Sequence, residues 1–148
     1  MDAEHETVVH VTPDAPWLPS GGRAEVVRCS VPPQPMSIVR LLLRRGDEVF
    51  CVPRPETGKL DLPMRIAATH DADGSITIRA LADEVVGSGP VEFLGAVRNV
   101  VDAPGDDYAW PAPLAHFGVW TTTDAPLIAG TWVDVAALRA RHWHPLLG

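Results

Sequence analysis

The stretch SIVRLLLRRGDEVFCVPRP, residues 37–55, constrains the fold more than any other part of the chain. Two apolar runs flank Arg45-Gly46-Asp47, residues that accept tight backbone dihedrals, and such a pattern predicts a β-hairpin. A hairpin cannot bury both of its faces alone, so the rest of the chain has to supply further strands and a covering layer. Those strands are visible. TVVHV and AEVVRCSV precede the hairpin, separated by PDAPWLPSGG and closed by PPQP, and VEFLGAVRNVV, LAHFGVWTTT and GTWVDV follow it. A short strand opens TGKLDLPMRIAATHDADGS, and AALRARHW reads as a short terminal helix. Strands around one or two helices make this an α+β domain.

At 148 residues the chain holds one core. Residues 1–36 read as an N-terminal arm that completes the sheet or a dimer interface, and residues 37–148 as the domain proper. No apolar run approaches the roughly 18 residues that cross a bilayer, and MDAEHETVVHV lacks the basic and apolar segments of a signal peptide. A cytoplasmic location is expected. Cys29 and Cys51 form no CxxC pair and sit in apolar surroundings, which predicts buried thiols. A net charge of -7 argues against a nucleic-acid duplex as partner, because phosphate backbones are held by Lys and Arg. The expected partner is small. Eleven Arg against the single Lys59 suit planar, bidentate contact with phosphate or carboxylate, and Arg54 is a candidate for that role.

Within SITIRALADEVVGSG, Ile78, Leu81, Ala82 and Val85 fall at i, i+3, i+4 and i+7 and predict an amphipathic helix. Asp73 or Ser75 would cap it and Gly87 would close it. Ala80, Asp83 and Glu84 then share the arc away from the core.

The run LPMRIAATHDADGSITIRALADEVVG resembles the Nudix box, whose pattern is Gly, five residues, Glu, seven residues, Arg-Glu-aliphatic-any-Glu-Glu-any-Gly-aliphatic. Aligned on Arg79, Arg65 falls at the first Gly, Asp71 at the first Glu, Ala80 at the Glu after Arg, and Asp83 and Glu84 at the Glu pair. Val86 falls at the later Gly, with Gly87 following. KLDLP sits where the family has a strand leading into the box, and GTWVDVAAL resembles its late strand and helix. The resemblance implies an α/β/α sandwich on a mixed sheet and Mg²⁺- or Mn²⁺-dependent hydrolysis of a nucleoside diphosphate derivative. It implies metal at Asp83 and Glu84, with Arg79 orienting neighbouring carboxylates. The loop DAPGDDYAWPAP offers Asp106 and Asp107 as further ligands, and Tyr108 and Trp110 as faces for a base or sugar. Arg65, where the family has Gly, puts a positive charge beside the cation and is a further candidate for substrate contact. Ala80 offers no oxygen, so the implied activity is low. Two alternatives follow from that departure: a binding or regulatory module that has lost hydrolysis, or an enzyme turned to a non-nucleotide substrate. The histidines do not group into a zinc site.

Overall fold

The arm contributes two antiparallel strands, β1 (Thr7–Thr12) and β2 (Arg23–Arg28), in the computed structural model, which describes residues 6–148. After them come the hairpin strands: β3 (Met36–Leu42), the two-residue β4 (Arg44–Arg45) and β5 (Glu48–Pro53). Arg45 pairs with Glu48, so the turn is only two residues long, and Gly46 takes φ 59° in its first position. That left-handed dihedral is free of strain for glycine and suits a type II′ turn. Short strands β6 (Leu60–Asp61) and β7 (Met64–Ile66) lead to helix α1 (Ser75–Val85), followed by β8 (Glu92–Val100), β9 (Leu114–Thr121) and β10 (Thr131–Asp134).

The hairpin divides between two sheets. β3 lies in a six-stranded mixed sheet ordered β1-β2-β8-β9-β3-β7, whereas β4 and β5 join β10 in a smaller antiparallel sheet, with β6 paired to β5. β9 and β3 run parallel and the other pairs of the large sheet are antiparallel. The arm belongs to this sheet, since β2 pairs with β8 from Arg23↔Val100 to Val27↔Ala96. Strand alternation gives β3 two different faces. Val39 and Leu41 pack with Ile78, Leu81 and Val85 of α1, while Ile38 and Leu42 pack with Leu138, Trp143 and Leu146 from the chain end. Arg40 shares the second face.

Helix α1 buries the expected stripe, Ile78, Leu81, Ala82 and Val85, together with Thr77. Its start is fixed by Gly74, at φ 78°, where a Cβ would stand 2.8 Å from Met36 Cγ and 2.9 Å from Val39 Cγ1. Its end is closed by Gly87, at φ 94°, whose N–H donates to the Ala82 carbonyl at 2.9 Å.

The expected terminal helix does not form. Asp134 accepts from the Ala136 N–H at 2.8 Å and starts a 3₁₀ turn over Val135–Leu138, and a second 3₁₀ turn covers His144–Leu147. The Trp143 indole is drawn to the buried Asp61, Nε1 donating to Oδ1 at 2.8 Å. Among the described residues α1 is the one α-helix, so the second layer of the expected sandwich consists of 3₁₀ turns. The fold is α+β, mostly sheet. No described helix is long and apolar enough to cross a membrane.

Candidate functional site

The acidic arc of α1 is held by arginines. Arg79 Nε lies 3.1 Å from Asp83 Oδ1, one turn along the helix, and the same guanidinium donates to the Gly87 carbonyl at 3.0 Å. Arg65 pairs with Val39 in the β3–β7 ladder and therefore points to the helix side of the sheet, where it meets Glu84 Oε1 at 2.7 Å. A guanidinium thus stands where the resemblance implies a cation. Asp71, at the position of the first Glu of the box, is buried at the helix start. It accepts from the Thr77 N–H at 2.7 Å, the Thr77 hydroxyl at 2.6 Å and the Ile76 N–H at 3.2 Å. Burial alone would raise its carboxyl pKa, but these hydrogen bonds outweigh burial and hold it below the ordinary value.

Asp106 and Asp107 are exposed and do not join this arc. Asp107 and Tyr108 line a shallow cleft against Pro16, Trp17 and Leu18 of the arm instead. Among the described residues no three His, Cys, Asp or Glu side chains come together. Both arc carboxylates are ion-paired and position 80 adds a methyl group, so a divalent cation here would have to displace Arg65 and Arg79 and take most of its oxygens from water or substrate.

Arg54 and Trp110 converge on the opposite face of the large sheet. They line a cavity of about 230 Å³ with Arg40, Trp17, Phe117 and His142. The walls are aromatic. Trp17 stacks on His142, ring centroids 4.1 Å apart and planes at 18°, and Trp110 meets Phe117 edge-on at 5.2 Å. Tyr108 stands behind this wall, its hydroxyl 3.4 Å from Asn99 Nδ2, and Asn99 lines the cavity. Beyond the Trp17–His142 pair a second chamber of about 310 Å³ is lined by His10, Arg139 and Arg141. Arg65 faces α1 and takes no part.

Two of the lining residues, Arg40 and Arg54, are charged, and Arg54 leads to a buried carboxylate. Asp61 is buried, accepts from the Leu62 N–H and the Trp143 indole, pairs with Arg54, and has Arg141 at 3.9 Å. Burial would raise its pKa, but the Trp143 hydrogen bond, the Arg40 charge and its other donors keep it below the ordinary value, so it is ionised at neutral pH. One carboxylate therefore faces three arginines. Arg40 Nε and Arg54 Nε are both buried without a hydrogen-bond partner. His142 is pushed down by burial and by the Arg40 and Arg54 charges and is neutral at pH 7.

Sequence reasoning missed Arg40, Trp17 and His142. Arg40 had a readable signal: it interrupts the apolar run SIVRLLL of a strand that would otherwise be buried on both faces. Trp17 and His142 lie at opposite ends of the chain, and nothing local ties one to the other.

No protein-family model matches the chain, and no curated protein matches it at a significant level.

Proposed function

We propose that the protein is a Nudix-fold ligand-binding module that holds a small, phosphate-containing, nucleotide-like molecule in the Arg40–Arg54 cleft and has lost the metal-dependent hydrolysis of the box. The fold part of this reading is supported by the mixed sheet with α1 against β3 and by the order of elements around α1, a short strand before it and β8 after it. The function part rests above all on one observation: an aromatic-walled cavity lined by two arginines, Arg40 and Arg54, and, among the described residues, by no carboxylate. Aromatic faces favour a planar ring, and guanidinium favours phosphate oxygens. The hydrolase reading has less support, because Arg65 and Arg79 engage Glu84 and Asp83 and Ala80 supplies no base.

A calorimetric titration with Mn²⁺, run beside a phosphate-release screen over nucleoside diphosphate derivatives with Mg²⁺ and Mn²⁺, separates the two. The native protein is expected to show no saturable Mn²⁺ heat and no phosphate release, and the double variant Arg65→Gly/Ala80→Glu to gain Mn²⁺ binding. Native Mn²⁺ binding that Asp83→Asn and Glu84→Gln both weaken, with phosphate release, would restore the hydrolase.

A further inference from the structure

Arg40 rises from the middle of β3, a strand paired on both sides, to Val119 of β9 and to Met64 of β7. Ile38 on its own strand and Phe117 on β9 flank it on that face, and Arg54, Asn99 and His142 line the same cavity. Burial lowers its pKa from the ordinary arginine value, with Asp61 opposing that and Arg54 adding to it. Arginine nonetheless stays protonated at neutral pH. Among the described residues no carboxylate lies within ion-pairing reach of it, and its Nε has no acceptor. A partly buried charge whose carboxylate neighbour, Asp61, stands outside ion-pairing distance is incompletely neutralised.

We infer that Arg40, with Arg54, forms an oxyanion site at the floor of the cleft, and that the ligand carries its phosphate or carboxylate close to a planar ring stacked against the Trp17 and Trp110 walls. This deepens the ligand-binding reading above and rests on it. A cavity of about 230 Å³ holds one small ring system with its acid group, not a long diphosphate chain. The anion is bound on the face of the sheet away from Asp83 and Glu84.

The test is intrinsic tryptophan quenching titrated with AMP, indole-3-carboxylate and adenosine, on the native protein and on Arg40→Met and Arg40→Lys, with a thermal melt of each protein free of ligand. Native protein should bind AMP, indole-3-carboxylate or both at least about 10-fold more tightly than adenosine, and the stronger of the two tells phosphate from carboxylate. Arg40→Met should weaken the anion about 10- to 100-fold and leave adenosine unchanged, as loss of a charge-assisted contact predicts, while Arg40→Lys recovers part of the loss. The melts of the ligand-free proteins check that both variants keep the fold. Equal native affinity for AMP and adenosine, or undiminished AMP binding by Arg40→Met, overturns the oxyanion site and leaves the cleft as a ligand site. No saturable quenching by any of the three probes overturns the cleft reading together with this one.

Discussion

Replacing Asp71 by Ala separates a helix cap from a metal ligand. The Asp71 carboxylate holds three donors, of which the Ile76 N–H belongs to a residue 61% exposed and passes to water once the cap is gone. Thr77 is only 8% exposed, so its N–H and hydroxyl lose their acceptor inside the protein. Each stranded group costs about 1–3 kcal/mol, and water entering the vacated space recovers some of this, leaving about 2–4 kcal/mol in all. For a domain of this size that lowers the melting temperature by about 6–12 °C. The pH dependence has a definite sign. The folded pKa lies below the ordinary 3.8, so the cap's contribution is complete above 3.8 and is lost as pH falls through the folded value. Melts followed by circular dichroism at 222 nm should show a constant gap between native protein and Asp71→Ala from pH 5 to 8, closing in acid. A gap under about 1 °C, or one that persists unchanged into acid, refutes the cap argument. Mn²⁺ that raised the native melting temperature and not the variant's would make Asp71 a metal ligand after all.

Three further outcomes are expected. Gly130→Ala places a methyl group against the Phe50 ring and 2.8 Å from the Cys51 carbonyl; overpacking there should cost about 1–3 kcal/mol in urea unfolding, and an unchanged midpoint would show that the β10 approach yields easily. Deleting residues 1–34 removes β1 and β2 with the buried Val26 and Val27, and should abolish or sharply lower the cooperative thermal transition; a truncated protein that melts like the full chain would make the arm dispensable. Burial, with the nearby Asp61 charge, pushes the Cys51 thiol up to about 11, so at pH 8 Ellman's reagent should leave Cys51 unmodified in the native protein and titrate both cysteines in urea; rapid native modification of Cys51 contradicts its burial.

Legibility followed the range of the interactions. The stripe of α1, the strands of the arm and the turn at Gly46 are set by spacings of a few residues, and all appear where the pattern puts them. The end of the chain does not follow local preference, because Trp143 reaches 82 positions back to Asp61. The same range effect divides the site. Asp83 and Glu84 were readable as neighbours on one arc, but their partner Arg65 comes from β7, and what that pairing does to the arc appears only in three dimensions. Arg54 and Trp110 could be nominated by residue type. The cavity that joins them to Arg40 depends on β3, β8 and β9 lying side by side.

The parallel pairing of β3 with β9 sets the order in which the protein can assemble as it is made. β3 and β7 are close in sequence and can pair early, and β8 with β9 forms a separate antiparallel unit that β2 joins. Only the β3–β9 ladder, from Met36↔His116 to Leu42↔Thr121, sews the two halves of the large sheet together. It closes a loop of about eighty residues, a slow step that waits for the chain to emerge past Thr121. Arg40 stands on one side of that seam and Phe117 on the other, so the cleft does not exist until the last stitch is made. A small molecule lodged across it would act as a clasp, stabilising the finished chain and giving nothing to the half-made one.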